Sequence, residues 1–217
     1  MAAKRTYRDL CGIARALDVV GERWALLVIR ELLLGPKRFT DLRAGLPHVS
    51  PDVLSQRLRE LEADGVIRRR TLAPPAGSRV YELTDRGAEL EPVVLALGRW
   101  GSGAPFPPGD AKLGVDSTVI ALMTVFDPSA ADGLDALFEL RLDGQPFRAR
   151  VADDRFEIAR GSAEAPDATI ETDPGTLAEV LWGGRELAAA ERSGRFEIEG
   201  SRSAATRFLR LFALPDV

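Results

Sequence analysis

Gln56 and Arg59 stand three residues apart in the stretch SPDVLSQRLRELEADG, residues 50–65. Both side chains can make paired hydrogen bonds to a planar partner. A glutamine amide suits the edge of adenine, and a guanidinium suits that of guanine. Arg68, Arg69 and Arg70 follow in VIRRR, and Arg79 comes shortly after. Guanidinium groups grip and neutralise phosphate oxygens. Ser50 can cap a helix whose first N–H groups face a phosphate. Ser55 and Arg57 flank Gln56 and are phosphate candidates, as is Thr40 upstream. Asp52 is open between two roles: accepting from a cytosine amine, or favouring a helix N-terminus.

Other chemistries lack their parts. The chain has one cysteine and one histidine, too few for a mixed Cys/His zinc site or an internal disulfide. No Cys-His or Ser-His-Asp set has a convincing context. GSG and WGGRE lack the spacing and the Lys-Ser/Thr of a phosphate loop. No catalytic residue, cofactor or metal is therefore expected. The N-terminus lacks the apolar core of a secretory signal, and no apolar run is long enough to span a bilayer. A cytoplasmic protein with no membrane partner is the expectation. His48 lies in a turn, where it either touches phosphate or is merely exposed.

The elements that would position these side chains come next. With Leu54 at zero and about 100° per residue, Leu58 and Leu61 share its face, while Asp52, Gln56 and Arg59 fall opposite. Residues 50–64 are thus predicted as an amphipathic helix with an apolar stripe and a polar face. Before it come predicted helices over 11–21, 23–35 and 39–49. The second is apolar nearly all round, and the third has Thr40 as its N-cap. After it, residues 66–70 and 79–84 are strand candidates around the turn-rich TLAPPAGS. Residues 84–101 are predicted as one longer helix despite Pro92, striped by Leu90, Val93, Val94, Leu97 and Trp100. Three helices, a hairpin and a helix is the order of a winged helix-turn-helix. There the helix after the turn enters the major groove and the wing lies near the backbone. Arg68 and Arg70 share one strand face, and Arg69 takes the other.

Residues 1–105 carry 17 basic against 13 acidic residues, and 106–217 carry 12 against 20. A basic first half suits a polyanion, and an acidic second half would be repelled by one. GSGAPFPPGDAKLG sits at the switch, so two domains are expected, 1–101 and 116–217, with a linker at 102–115. The second half is predicted α+β. It opens with a helix at 116–126. A three-stranded meander follows, with Asp143-Gly144 as a hairpin turn. A fourth strand, two helices, a fifth strand and a closing helix complete it. The strands have one apolar and one charged side, as an antiparallel sheet with a solvated face should.

Residues 8–101 resemble the HxlR family of bacterial transcriptional regulators. The resemblance rests on the cysteine opening the first helix, Arg-Trp opening the second, RFTDL, SPDVLSQRLRELE and YELTDRG. It implies a winged-helix homodimer, with helices at 11–20 and 85–100 at the interface, reading a pseudo-palindrome in double-stranded DNA; a repressor is the expectation, with an activator as the alternative. Several members sense electrophiles or oxidants through the cysteine at the position of Cys11. Here the family's following proline is Gly12. Cys11 is therefore a redox candidate or an inert buried thiol. Residues 116–213 resemble the sterol carrier protein 2-like fold, which implies an apolar tunnel and a hydrophobic small-molecule ligand. Phe138, Leu140, Phe147, Phe156, Leu181, Trp182, Phe208 and Phe212 would line it, or fill a plain core. A regulator gated by such a ligand is the leading expectation, with a thiol-redox regulator whose second domain is structural, and a carrier protein that uses the first domain mainly to dimerise, as alternatives.

Overall fold

The computed structural model describes residues 6–73, 77–105 and 113–214. The chain divides into two compact units, Met1–Val94 and Leu95–Val217. The division falls inside a helix, earlier than the Gly/Pro stretch suggested. Helix-ending residues mark where hydrogen bonding stops, not where the packing partners change. Of the expected linker, 106–112 lie outside the described residues, as do 74–76 of the TLAPPAGS turn.

The first unit opens with α1 (Gly12–Val20), α2 (Ala25–Leu32), α3 (Phe39–Gly45) and α4 (Pro51–Ala63). Helix α2 starts two residues later than expected because Trp24 holds left-handed backbone, with φ 78°, which a right-handed helix does not admit. Its Ala25, Val28, Ile29 and Leu32 are buried, as an all-round apolar helix requires. In α3 the expected cap is corrected. Arg38, not Thr40, is the N-cap residue, and Asp41 accepts from its N–H at 3.1 Å. Helix α4 begins as predicted, with the Ser50 hydroxyl accepting from the Val53 N–H and Pro51 at the first helical position. Leu54, Leu58 and Leu61 are fully buried in one core with Val28, Ile29, Leu42 and Ile67.

Strands β1 (Ile67–Thr71) and β2 (Arg79–Leu83) pair antiparallel. Lys37 adds a bridge to their outer edge, exchanging both backbone hydrogen bonds with Tyr81 at 2.8 and 2.9 Å. The single helix expected over 84–101 is two, α5 (Asp85–Ala88) and α6 (Glu91–Gly101). Pro92 lacks the N–H that a continuous helix would need there, and its ring would clash with the preceding turn. Thr84 caps α5 by accepting from the Gly87 N–H at 3.1 Å, while its hydroxyl donates to the Gly65 carbonyl at 2.7 Å. Gly87 packs directly on the chain entering β1, where an added Cβ would lie 2.0 Å from the Val66 carbonyl oxygen.

The second unit begins within α6 and continues with α7 (Val115–Val125), a short 3-10 turn at Pro128–Ala130, and the meander β3 (Ala136–Leu142), β4 (Gln145–Ala152) and β5 (Arg155–Arg160). Asp143 and Gly144 both have positive φ, as the tight hairpin turn between β3 and β4 demands. β6 (Ala168–Thr172), α8 (Pro174–Leu181), α9 (Leu187–Arg192), β7 (Phe196–Gly200) and α10 (Arg202–Leu209) follow. The sheet order is β5-β4-β3-β6-β7. It is mixed rather than antiparallel, because β6 enters parallel to β3. Apolar alternation determines which face a strand buries but not the direction of its neighbour.

Register places Phe138, Ala149 and Ala168 side by side on one face, with Leu140, Phe147 and Ile170 one step along. All six are buried. The other face carries Arg141, Arg148, Arg150, Glu171 and Glu197. Glu139 on that face is buried as well. Burial alone would raise its pKa, but the Ala163 N–H and Arg141 outweigh this and hold it below the usual carboxylate range.

The Gly87 contact is with backbone, so a neighbouring side chain cannot relieve it. Gly87→Ala is expected to cost about 1–3 kcal/mol and lower the thermal midpoint. Gly12→Ala, which meets nothing within 4 Å, is expected to be neutral or slightly stabilising. Equal melting of the two variants by circular dichroism would contradict this packing.

Candidate nucleic-acid interface

The leucine stripe turns the opposite face of α4 outward. Asp52, Gln56 and Arg59 are all exposed. Arg59 has no hydrogen-bond or ion-pair partner among the described residues, so its whole fork is available. Gln56 donates to Glu60 at 3.0 Å, and its carbonyl oxygen and second N–H have no partner among the described residues. Ser50 is exposed at the cap and Ser55 is half-buried. Thr40 is exposed on α3, its hydroxyl 3.3 Å from Asp41 Oδ1. His48 is exposed in the turn between α3 and α4.

Arg57 corrects the sequence reading. It is only 7% exposed. Its guanidinium pairs with Glu60 and lies 3.8 Å from Glu22, and its Nε has no hydrogen-bond partner among the described residues. About 100° per residue places it roughly 40° from Leu61 and beside the apolar stripe. A helical position that near the core turns inward, and the long apolar stem of arginine tolerates this.

The wing follows its predicted alternation. Arg68 and Arg70 share a face and both donate Nε–H to Glu82, at 2.8 Å each. Hydrogen bonding from Arg68 comes first among the causes that hold the Glu82 carboxyl below its ordinary range, against the opposing effect of burial. Arg69, on the other face, pairs with Glu62 of α4 at 2.8 Å and lies over the Tyr81 ring. Arg79 is exposed, and its side chain has no partner among the described residues. Glu82 and the Lys37 bridge were missed from sequence. Glu82 stands directly across from Arg68, but an eight-residue turn-rich connection leaves hairpin register open.

Cys11 is exposed, not buried. It is the N-cap residue of α1, and its N–H donates to Asp9 Oδ1 at 2.9 Å. Leu10, Ile13 and Leu17 around it are exposed at 94, 73 and 40%. On α6, Val93, Leu97 and Trp100 are exposed at 52, 47 and 82%. Of the expected stripe on that helix, only Val94 is buried.

In the second unit four of the expected pocket residues, Phe138, Phe156, Phe208 and Phe212, bring their rings together on the buried side of the sheet. Ring centroids of Phe138 and Phe208 lie 4.5 Å apart, Phe208 and Phe212 4.9 Å, and Phe156 and Phe212 5.1 Å. Phe126, which the sequence reading missed, stacks on Phe156 at 5.5 Å. Its place at the end of the apolar α7 was the available signal. Leu140 and Phe147 are directly paired across β3 and β4. Leu181 and Trp182 are half-buried, and the Trp182 indole N–H donates to the Phe212 carbonyl at 2.8 Å. Among the described residues, no three His, Cys, Asp or Glu side chains could hold a metal together, and no helix is long and apolar enough to cross a membrane.

A helix set by its leucines after a short turn, followed by an arginine-bearing hairpin, defines a winged helix-turn-helix protein. Comparison with known proteins places it more closely. Residues 19–105 match the family described as HxlR-like helix-turn-helix. The uncharacterized HTH-type transcriptional regulator YvaP of Bacillus subtilis (strain 168) is 38% identical over 86 residues, 40% of this chain and 80% of its own. The HTH-type transcriptional regulator YodB of the same organism is 34% identical over 85 residues, 39% of this chain and 76% of its own. Among solved structures, the redox regulator HypR in its oxidized form is similar at 34% identity, covering 45% of this chain and 100% of that one, with a TM-score of 0.42. The reduced form of YodB is similar at 32% identity, covering 47% and 100%, with a TM-score of 0.40. The chain belongs to the HxlR-like helix-turn-helix family of transcriptional regulators.

The burial of Arg57 separates it from Arg59 two residues on. Arg57→Ala is expected to destabilise the fold by about 1–3 kcal/mol, since it leaves a void beside the leucine stripe and removes the ion pair to Glu60. Arg59→Ala is expected to fall within about 0.5 kcal/mol of the parent. Urea unfolding of the two variants checks this, and a reversed order would place the wrong arginine inside.

Proposed function

We propose that the chain is a homodimeric, sequence-specific DNA-binding regulator that represses from a pseudo-palindromic operator. The observation that carries this is the outward face of α4, where the unpartnered Arg59 and the half-engaged Gln56 stand opposite three buried leucines. Arg59 is assigned to a guanine and Gln56 to an adenine. Ser50, Ser55, Thr40, Arg68, Arg70 and Arg79 are assigned to phosphates. Arg57 is left out of this set and given the role of an internal strut.

The dimer reading is supported by the apolar side chains that α1 and α6 leave in water. Isolated exposed leucines are ordinary, but Ile13 and Leu17 stand one turn apart on α1 with Leu10 just before it, and Val93, Leu97 and Trp100 recur at helical spacing on α6. Two-fold pairing would set half-sites about 10 bp apart or at a multiple. Binding should fall steeply with salt, because phosphate contacts release counterions. Arg59→Ala is expected to weaken binding to a selected duplex by roughly tenfold or more, and Gln56→Ala by a similar factor. Fluorescence anisotropy measures both, and wild-type affinity in both variants would remove α4 as the reader.

Two signals are proposed. In the first, an apolar molecule enters the second unit among Phe138, Leu140, Phe147, Phe156, Leu181, Trp182, Phe208 and Phe212 and shifts the dimer between states of unequal DNA affinity. The resemblance to the sterol carrier protein 2-like fold supports this reading. The contacting rings mean that a ligand must part them. In the second, Cys11 is the sensor and the second unit is structural. Its exposure favours this reading, and HypR, a relative, is described as a redox regulator. Titrating the protein–DNA complex with hexadecanoate and, separately, with diamide distinguishes them. Release by the fatty acid alone is expected from the first reading. Release by diamide that Cys11→Ser abolishes is expected from the second. Release by neither would overturn both.

A further inference from the structure

We propose that Glu82 is a positioning residue that holds Arg68 and Arg70 as a paired phosphate clamp on the wing. This rests on the wing contacting DNA, as proposed above. A carboxylate beside a polyanion ordinarily weakens binding, so an acidic residue in the middle of a DNA-binding hairpin needs a reason. Here the geometry provides one. Register sets Glu82 directly opposite Arg68, and Arg70 lies two residues further along the same face. Each arginine donates Nε–H to a different oxygen of the one carboxylate.

That arrangement engages one of the five N–H donors of each guanidinium. The terminal Nη groups of both have no other partner among the described residues, and both side chains are half-exposed or more. Glu82 itself is 9% exposed. The carboxylate is thus more buried than the two cations it holds, and their terminal Nη groups are left for a phosphate. It also shields two like charges from each other. Two long, flexible side chains are held before any ligand arrives, so less rotamer freedom is lost on binding.

The sign of the effect separates positioning from charge. Removing a negative charge near DNA should tighten binding if Glu82 acts only through its charge. Losing the clamp should weaken it. The test uses the full chain, a labelled mixed-sequence duplex of about 30 bp, and anisotropy across a salt series. The variants are Glu82→Gln, the double variant Arg68→Ala/Arg70→Ala, and the triple combination. The proposal expects Glu82→Gln to weaken binding about three- to tenfold and to make the salt slope shallower by roughly one contact. It expects no further loss when Glu82→Gln is added to the double variant.

A purely structural role would reduce the active fraction but leave the slope of the folded protein unchanged, which would overturn the proposal. Tighter or unchanged binding by Glu82→Gln would overturn it too, while a weakened double variant would leave the wing reading intact. If the double variant binds like wild type, the wing reading fails and this proposal with it.

Discussion

The burial of Leu54, Leu58 and Leu61 against α2, α3 and β1 is the constraint on which the first unit depends. Each fully buried leucine contributes about 1.5–3 kcal/mol to keeping its side inward. Three at helical spacing leave α4 no other rotation about its axis. That rotation decides everything on its circumference. Gln56 and Arg59 are outside because the leucines are inside. Arg57 is drawn in by its place beside Leu61, and is tolerated only because Glu60 and Glu22 partly compensate its charge. The Ser50 cap and Pro51 set where the helix begins, so they set which residues form its first turns.

The wing is tied to this frame from several sides. Lys37 pairs its backbone with Tyr81, while its ammonium reaches Glu31, a carboxylate buried on α2 and also held by Arg30. Gly45 of α3 lies against the same carboxylate, where a Cβ would stand 2.2 Å from Glu31 Oε2. Thr84 and Gly87 close the far end of the hairpin onto Gly65 and Val66. Arg69 reaches back to Glu62 of α4. Helix α4 and the hairpin are therefore joined by polar and close-packed contacts in addition to the shared core. This gives a physical reason for the proposed reading helix and the wing to act as one body.

Much of this was legible beforehand. The element order, the leucine stripe, the Ser50 cap and the alternation of Arg68, Arg69 and Arg70 all follow from periods and end signals that act locally. What escaped was set by contacts distant in sequence. Glu82 needed the hairpin register, and Lys37 needed to be recognised as a third edge. The break at Pro92 and the inward turn of Arg57 each have a local signal, the missing proline N–H and a wheel position beside Leu61. Thr40 was a sound cap by residue type, but Asp41 bonding back to Arg38 set the cap two residues earlier. In the second unit, alternation showed which face is apolar, and Asp143-Gly144 showed a turn. The parallel pairing of β6 with β3 depends on a crossover that no local pattern encodes.

The two units divide the chemistry. One presents donors in a row on a rigid helix, and the other buries aromatic rings under a sheet whose outer face is charged. The central claim is that the outward face of α4 reads base edges. The most direct test is selection from random DNA by the wild-type chain and by Arg59→Ala. The account predicts a two-fold motif for the wild type and loss of a single guanine preference in each half-site for the variant, with the other positions kept. An unchanged motif in the variant would contradict it.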